Sequence, residues 1–392
     1  MSYLQRMPTS LSPKLSRRAF HALGLSGLGA LIGQSAVSCT AYPAESGDAY
    51  APWRFPGAGE STEERLIHAA LLASSPHNTQ PWYFSYQANR IQLFVDPERG
   101  LGAMDSLARE RHIGLGCALE NLALAAAANG FEARISRLPD ATTPEWVADV
   151  ELVPAAATPS ALYRAIPRRH TNRGAYVDGA APGELEAALR AQLEDPQVEL
   201  RFLSGARAKD FRAGTIAATS AIIDDTSMLD AGHAWWRQTK DEIQTHRDGL
   251  TLDASGLGAL KRFLGKSTGK PSARTAGEYW LDSTRGDQTT GFGYGILSTT
   301  NRDSRDEQLL VGRAYQRIAL WAASQNLALQ PLNQMAERQD REQSLGLPND
   351  FGNRLAVLNQ QSQSTAQMLF RIGVPWDRAL KSPRRPLTWV LR

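Results

Sequence analysis

The spacing of apolar residues predicts a series of helices and short strands that begins near residue 61. Ser61 followed by Glu64 has the pattern of a helix capping box, and the apolar positions after it predict a helix that ends near Ala73. Apolar and aromatic residues then alternate with polar ones over Trp82–Tyr86 and Ile91–Asp96, which predicts a β-hairpin. The folded part of the chain is therefore expected to open with a helix and a hairpin.

Two longer segments, Asp105–Asn129 and Arg305–Asn326, are apolar nearly all round, which is the pattern of buried helices. Gly116–Ala127 aligns with Gly312–Ala323, 196 residues later, with six identical residues. Convergence of two alanine-rich helices is an alternative explanation, because alanine is common in helices. Small residues at shared positions would let the two helices pack closely. The alignment predicts an internal repeat of two tandem halves, residues 60–155 and 156–392.

Shorter elements fill the rest of both halves. Helices are predicted from Ala161, over Pro182–Leu193, and once or twice within Ala206–His246. The predicted strands are Phe131–Arg137, Val147–Leu152, Arg201–Leu203, Phe292–Thr299 and Met368–Val374. Helices and strands in this order indicate an α+β protein.

Residues 249–295 differ in composition from the chain around them. They contain ten glycines, few large apolar residues and five cationic side chains between Lys261 and Arg274. We predict a flexible insert in the second half, which is either a lid over the functional site or a disordered surface loop. Its aromatic residues are those that a lid could lay on a planar ligand: Phe263, Tyr279, Trp280, Phe292 and Tyr294.

The first 39 residues have the pattern of a twin-arginine export signal. Ser16-Arg17-Arg18-Ala19-Phe20 is followed by the uncharged, glycine- and alanine-rich stretch Ala22–Val37. A membrane anchor is the alternative, and small residues before Cys39 leave lipidation open. Residues 40–59 are predicted to be a linker. The expected location is the periplasm or another extracytoplasmic compartment, reached through the export machinery.

Composition excludes several other classes of protein. A hydrophobic fraction of 42% and a charged fraction of 21% are ordinary for a globular chain of 392 residues. The net charge of +3 comes from cations scattered among acids, so nucleic acid is not expected as a partner. Two cysteines and seven histidines show no ligand spacing, so neither a metal site nor a disulfide framework is expected.

Polar residues follow the first predicted helix and lead into the hairpin. Ser75, Asn78 and Gln80 precede Pro81 and Trp82, so hydroxyl, amide and backbone groups gather at a helix end, where a planar polar ligand can be held. A helix stop followed by a turn is the alternative. The run S-x-x-N-x-Q-P-W resembles the FMN-binding segment of the nitroreductase-like flavoproteins.

This resemblance covers the chain from about Ser61 to the C-terminus. Nitroreductase-like enzymes are homodimers with FMN at the subunit interface, and the pattern here is similar to the internally duplicated branch of the family related to the mycobacterial Acg protein. The resemblance implies an α+β, nitroreductase-like fold in which two fused halves act as the family homodimer. A monomer that binds one FMN is expected, because only the first half carries the motif.

The resemblance also assigns cofactor-binding residues in the second half. Residues 169–173 match the family segment R-[RH]-S-x-[RK], which holds the FMN phosphate and the polar edge of the ring, and guanidinium groups suit phosphate. Residues 330–334 resemble the P-[IL]-x-G segment that faces flavin N5, with Gln334 in place of glycine. The residues that the resemblance implies for the second half are Arg169, His170, Thr171, Arg173, Pro331, Leu332, Asn333, Lys381 and Arg384. Residues 169–173 could instead be a solvated basic run, and Arg384 could lie in a solvated tail.

Three functions are consistent with such a site. The first is an FMN-dependent oxidoreductase that passes electrons from flavin to an organic acceptor, with no catalytic side chain required. The second is a flavin-binding or flavin-sequestering protein without turnover, in which a lid covers FMN. The third, a synthase that fragments the flavin ring, shares the fold but is hard to reconcile with export.

Overall fold

The computed structural model describes residues 42–360 and 363–392 of the chain. The predictions for residues 1–41, which are the export signal and lipidation at Cys39, lie outside this part. The helices are α1 Thr62–Leu71, α2 Arg109–Ala128, α3 Ala161–Ala165, α4 Leu185–Arg190, α5 Ala206–Asp224, α6 Thr226–His233, α7 Lys240–His246, α8 Ala259–Lys266, α9 Ala273–Gly286, α10 Arg305–Ser324, α11 Gln334–Leu345 and α12 Asp350–Asn359. The strands are β1 Trp82–Gln87, β2 Arg90–Val95, β3 Phe131–Arg137, β4 Trp146–Pro154, β5 Glu199–Leu203, β6 Trp236–Arg237, β7 Leu250–Thr251, β8 Gly293–Thr299, β9 Ala328–Pro331 and β10 Thr365–Gly373.

Two four-stranded antiparallel sheets share one connectivity. The first has the strand order β1-β2-β4-β3 and the second has the order β5-β8-β10-β9. In each half two paired strands come first, a long helix follows, the next strand forms the far edge, and the last strand returns to the middle of the sheet. The predicted α+β class and the two tandem halves are confirmed by this repeated order.

The long helices α2 and α10 pack against each other at the centre of the molecule. Gly116 and Gly312, which are aligned in the sequence repeat, lie at the crossing. A Cβ at Gly116 would overlap the Leu309 carbonyl, and one at Gly312 would overlap the Ile113 carbonyl. The two helices approach so closely because both residues lack a side chain. This contact joins the halves.

Polar groups also cross this helix pair. The buried Glu120 of α2 accepts hydrogen bonds from Arg313 Nε at 2.8 Å and Arg317 Nη1 at 2.7 Å. Gln316 Nε2 donates to Asn121 Oδ1 at 2.8 Å. A buried carboxylate without a partner would be costly, so these pairs favour one relative position of the two helices.

The two sheets differ in how much of their surface is covered. Along β3, partly buried and exposed residues alternate, as in a strand with one face toward solvent. Every residue of β8 is buried. Apolar residues of α5, α11 and α12 form a separate core cluster with Tyr294, Ile296 and Leu369 of the second sheet. The second half is larger because these helices cover the other face of its sheet.

Residues 42–59 do not form the predicted linker. A 3₁₀ helix covers Asp48–Trp53, and its residues Ala49, Tyr50 and Trp53 are buried. Trp53 Nε1 donates to the Ser382 carbonyl at 2.8 Å. The expectation failed because these aromatic side chains find apolar partners on the body, which outweighs the local content of Pro and Gly.

The insert 249–295 is also more ordered than predicted. It contains β7, α8, α9 and the start of β8, and Gly277 of α9 packs against Ile223 and Leu229 on α5 and α6. Phe292 and Tyr294 lie in or beside the sheet and are buried. Within the described residues, no helix has both the length and the apolar character needed to cross a membrane.

Candidate cofactor-binding site

The segment after α1 has an unusual backbone. His77, Asn78 and Gln80 have φ values of 45°, 57° and 52°, which residues with a Cβ adopt rarely. Ser75 Oγ accepts a hydrogen bond from the Gln80 backbone N–H at 3.1 Å and closes the turn. Such conformations persist only where surrounding contacts determine them, and they cluster at functional sites. The turn packs against α2, because a Cβ at Gly114 would lie 3.1 Å from Pro76 Cδ.

Asn78 and Gln80 hold the C-terminal segment and the start of the insert. Asn78 Nδ2 donates to the Pro383 carbonyl at 2.9 Å and to the Gly249 carbonyl at 3.2 Å. Gln80 Oε1 accepts from the Arg385 backbone N–H at 2.8 Å. The amides of this motif therefore join segments that lie more than 150 residues away in the sequence.

Three predicted arginines meet beside this turn. Arg169 Nη2 donates to the Leu72 carbonyl at 3.2 Å, and Arg384 Nη2 donates to the Ala73 carbonyl at 3.3 Å. Both carbonyls follow the last turn of α1, where the helix dipole favours cations. Arg384 also donates to Asn78 Oδ1. Arg173 Nη1 donates to the Ala254 carbonyl at 3.1 Å.

This arginine cluster, defined here as Arg169, Arg173 and Arg384, has no carboxylate partner among the described residues. Arg169 and Arg384 are each only 4% exposed. Burial lowers the pKa of Arg384 well below its ordinary value, and the neighbouring Arg169 lowers it further. Burial likewise lowers the pKa of Arg169, and it lowers that of Arg173 to about 10. Positive charge that is largely buried, with no carboxylate partner among the described residues, is unfavourable unless an anion binds there.

Several buried donors around the cluster lack hydrogen-bond partners. They are Arg169 Nε, Arg384 Nε, His170 Nδ1 and Ser74 Oγ. Buried polar groups are usually paired, so these unpaired ones are available to a bound ligand. A phosphate group, with several acceptor oxygens and up to two negative charges, fits both the open donors and the charge.

Two histidines at the site are held neutral. Burial lowers the pKa of His170 to about 4, with Arg169 as the next cause. Burial and then Arg173 lower the pKa of His77 to about 4. Each imidazole can therefore donate one hydrogen bond near neutral pH without adding a charge.

A cleft of about 340 Å³ opens beside the cluster. Arg169 and His170 line it, together with Tyr315 of α10 and Trp376 after β10. Its volume is within the range of small-molecule sites. Five predicted residues are absent from its walls: Ser75, Asn78, Gln80, Arg173 and Arg384.

Two other predicted residues flank the cluster. Thr171 is partly buried between His170 and Arg173. The backbone N–H of Lys381 donates to Glu45 Oε1 at 2.6 Å, and its Nζ lies 5.0 Å from the centre of the Trp53 ring. Lys381 is close enough to lower the pKa of His170 slightly, although it ranks behind burial and Arg169.

The segment predicted to face flavin N5 begins at the end of β9, and Ala328 and Leu329 of that strand line the cleft. Pro331 ends β9, and Leu332 is buried and donates its backbone N–H to the Leu369 carbonyl at 2.8 Å. Asn333 Oδ1 accepts from the Leu369 N–H at 2.8 Å. No hydrogen bond or ion pair among the described residues joins this segment to the cluster. Gln334 begins α11 with helical backbone, so the replacement of glycine costs no backbone strain here.

Sequence reasoning missed Arg371, which lies in β10 and is fully buried. Its Nη2 donates to the Gly174 carbonyl at 2.6 Å, its Nε donates to Gln330 Oε1 at 2.9 Å, and its guanidinium stacks 3.7 Å from the Tyr176 ring centre. Arg371 thus connects residues 172–176 to β9. A single arginine within an otherwise apolar predicted strand was the available signal.

Sequence reasoning also missed a buried cluster of charges between α2 and α11. Arg109 Nε lies 2.9 Å from Asp340 Oδ2, and Arg109 Nη2 lies 3.3 Å from Glu110 Oε1. Burial raises the pKa of Glu110 to about 7, and the neighbouring Asp105 and Asp340 act in the same direction. Burial and then Glu110 raise the pKa of Glu337 well above its ordinary value. The Glu110–Glu337 pair is therefore expected to retain a proton near neutral pH.

Comparisons with known proteins support a relationship to nitroreductases. No family model matches the chain. The chain is 28% identical over 347 residues to a Mycobacterium tuberculosis H37Rv protein named "Putative NAD(P)H nitroreductase Rv3131", which covers 86% of this chain and 92% of that one. It is 30% identical over 177 residues to "Putative NAD(P)H nitroreductase acg" from the same strain, which covers 43% of this chain and 52% of that one.

Solved structures of FMN-dependent nitroreductases are similar at lower identity. The nitroreductase NfnB of Mycobacterium smegmatis in complex with NADPH is 14% identical, with 59% of this chain and 97% of that one covered and a TM-score of 0.33. NfnB from "sphigopyxis sp. strain HMH" is 16% identical at the same coverage, with a TM-score of 0.37. By sequence, over most of its length, the chain is similar to mycobacterial proteins named putative NAD(P)H nitroreductases, and its fold is of the α+β class.

Proposed function

We propose that this protein binds one FMN per chain and transfers electrons from it to an organic acceptor. The observation that carries the proposal is the arginine cluster. Each of its three guanidinium groups donates to a different backbone carbonyl, and none has a carboxylate partner among the described residues. Two of them, Arg169 and Arg384, are buried. Burial of such charge destabilises the folded protein unless an anion compensates it. The phosphate of FMN is an anion of suitable charge and geometry.

The residues divide into two groups in this proposal. Arg169, Arg384 and His170 carry open donors and would hold the phosphate. Arg173, Ser75, Asn78 and Gln80, with Thr171 and Lys381, would form the walls around the rest of the cofactor, and the segment Pro331–Asn333 would approach the ring. Bound FMN supplies the hydride and electron chemistry, while the side chains supply binding, orientation and exclusion of water.

NAD(P)H as donor and a nitroaromatic compound as acceptor are the first pair to test, because the homologues are named putative NAD(P)H nitroreductases. The full chain is purified and its visible spectrum is recorded. Flavin absorption that bleaches on addition of NADPH under argon and returns on addition of a nitroaromatic would support an oxidoreductase. A protein that neither retains nor rebinds FMN would contradict the proposal.

A flavin-sequestering protein is the second candidate function. It is favoured by the position of residues 249–256, because Ala254 accepts the Arg173 hydrogen bond and Gly256 packs directly on the backbone of Arg173 and Gly174. This part of the insert would cover one side of a bound cofactor. Flavin that dithionite bleaches and NADPH leaves oxidised would favour this function over turnover.

We also propose that the protein is exported, on the evidence of the twin-arginine pattern at Arg17 and Arg18. Cell fractionation tests this directly. Replacement of both arginines with lysine should move the protein from the periplasmic to the cytoplasmic fraction if the signal is used. An unchanged distribution would contradict export by this route, and it would leave the flavin proposal unaffected.

A further inference from the structure

Helix α8 is attached to the body with its apolar side facing outward. Leu260, Phe263 and Leu264 are 71%, 57% and 55% exposed, and no residue of the helix is buried. Residues at this spacing share one face of a helix. An amphipathic helix in a water-soluble body normally turns that face inward. Here the apolar face, defined as these three residues, has no covering partner among the described residues.

The inward side of α8 is polar and is held by specific contacts. Gln238 Nε2 donates to the Gly265 carbonyl at 2.7 Å. Lys266 Nζ lies 2.8 Å from Asp253 Oδ1, and Arg262 Nε lies 3.6 Å from the same atom. The orientation is therefore specified by the cationic side of the helix. It leaves the apolar side free.

Two lysines in and after α8, Lys261 and Lys270, form no ion pair among the described residues. The other cations of this region, Arg262, Lys266 and Arg274, pair with carboxylates. Lys261 and Lys270 are exposed. Exposed apolar residues flanked by lysines are the composition of helices that lie in the interface of an anionic membrane. With eight residues, or about 12 Å of helix, α8 could lie on a bilayer but could not cross it.

The described chain begins next to this helix. Lys266 Nζ donates to the Tyr42 carbonyl at 3.1 Å and lies 4.2 Å from the centre of the Tyr42 ring. The 41 residues that precede Tyr42 include the uncharged stretch Ala22–Val37. The connection from these residues to the described part of the chain therefore lies beside α8.

We propose that α8 docks on an anionic phospholipid surface, with its apolar face inserted among the acyl chains and Lys261 and Lys270 at the headgroups. Electrostatic attraction and apolar insertion would act together, as in other interfacial helices. Such docking would hold the arginine cluster close to a membrane, because residues 249–256 connect α8 to Arg173.

Vesicle co-sedimentation of the full chain tests this proposal. The wild type should sediment with vesicles of phosphatidylcholine plus phosphatidylglycerol, and much less with phosphatidylcholine alone. The partition coefficient onto the anionic vesicles should fall at least about tenfold in the triple variant L260S/F263S/L264S and in the double variant K261Q/K270Q. The matched control is L345S/V357S, which removes exposed apolar residues elsewhere and should bind like the wild type.

Two results would overturn the proposal. Equal binding of the triple variant and the wild type would show that α8 does not contact lipid, since both carry the same N-terminal residues. A lipid-free dimer that appears in analytical ultracentrifugation and is lost in the triple variant would assign the apolar face to a second copy of the chain. Because all substituted residues are exposed, circular dichroism melts should show that each variant remains folded.

Discussion

At the scale of single residues, the arginine cluster and the turn at 75–80 depend on each other. Asn78 donates to the Pro383 carbonyl and accepts from Arg384, so the turn from the first half positions a cation from the C-terminal segment. Arg169 and Arg384 in turn bond the carbonyls that follow α1. The residues on which the family resemblance rests are thus linked to each other by hydrogen bonds. This arrangement holds the two guanidinium groups close together before any anion binds.

Loss of either guanidinium should weaken FMN binding. In R169A and R384A one charge-assisted hydrogen bond to phosphate is lost, which is worth about 1.5–3 kcal/mol. The dissociation constant for FMN, measured by quenching of flavin fluorescence, should rise roughly ten- to a hundredfold. R190A is the control, because Arg190 is exposed and pairs with Glu186 on the surface. Unchanged affinity in both site variants would remove these residues from the cofactor site.

Three buried or partly buried histidines should make the protein sensitive to acid. Burial lowers the pKa of His77, His112 and His170 to about 4, from the ordinary 6.5. Between these two values the unfolded chain binds protons that the folded chain does not, so the free energy of unfolding should fall as pH falls from about 6.5 to about 4. The loss is up to about 3 kcal/mol for each histidine.

Thermal melts across this pH range test the effect. H170Q removes one of the three groups, so its melting temperature should fall less steeply with acid than that of the wild type. H246Q is the control, because His246 is exposed. A slope in H170Q as steep as in the wild type would contradict the assignment of a buried neutral imidazole at this position.

At the scale of elements, the contact between α2 and α10 depends on two glycines. A methyl group at Gly116 or Gly312 would overlap a backbone carbonyl of the opposite helix, and backbone cannot move aside as a flexible side chain can. G116A and G312A should each lower the free energy of unfolding by about 1–3 kcal/mol or more, as overpacking does. Urea unfolding measures this.

Glycines elsewhere provide the matched control for that experiment. Gly179 and Gly183 have no atom within 4 Å of the position that a Cβ would take. G179A and G183A should therefore change stability by less than about 1 kcal/mol. If G116A and G312A were no more destabilising than G179A and G183A, the close approach of the two helices would not be required.

The aromatic residues of the insert 249–295 do not form the lid that the sequence allowed. Trp280 packs against the cluster formed by Leu101, Met104, Ile222 and Met228, and Phe263 and Tyr279 are exposed. None of these rings lines the cleft beside Arg169. Residues 249–256 are the part of the insert that bonds site residues. Any lid function therefore belongs to this short segment, and for α8 we propose a lipid surface instead.

At the scale of the whole molecule, the two halves share one connectivity but differ in their residues. The proposed site combines Ser75, Asn78 and Gln80 from the first half with residues 169–173 and 384 from the second. The second half carries no S-x-x-N-x-Q-P-W sequence. A chain with one complete set of segments should bind one cofactor.

Native mass spectrometry of the FMN-loaded protein tests this expectation. The expected species is one chain with one FMN, because the α2–α10 contact already supplies within the chain the interface that a homodimer would form between subunits. Two FMN per chain would show that a second site exists. A dimer with one FMN per two chains would show that the site is completed by another copy.

The sequence by itself determined the elements whose signals are local. The capping box at Ser61 and Glu64 is present as predicted, the hairpin forms β1 and β2, and the repeat between Gly116 and Gly312 marks the helix crossing. Periodicity, caps and glycine spacing are properties of neighbouring residues, so they can be recognised without knowledge of the fold. The individual arginines of the cluster were also recognisable, because they lie within short segments that resemble a known family.

Only the tertiary structure decided which side chains are buried, which are paired and which way an amphipathic helix faces. The burial of Arg384 beside Asn78 depends on segments 306 residues apart, and the place of Arg371 depends on a sheet edge and a loop from another region. Residues 42–59 and α8 had the composition of a linker and a flexible loop, but apolar contacts ordered the first and the Asp253–Lys266 pair oriented the second. Burial and charge compensation are sums over neighbours in space, and the order of residues along the chain does not contain those neighbours.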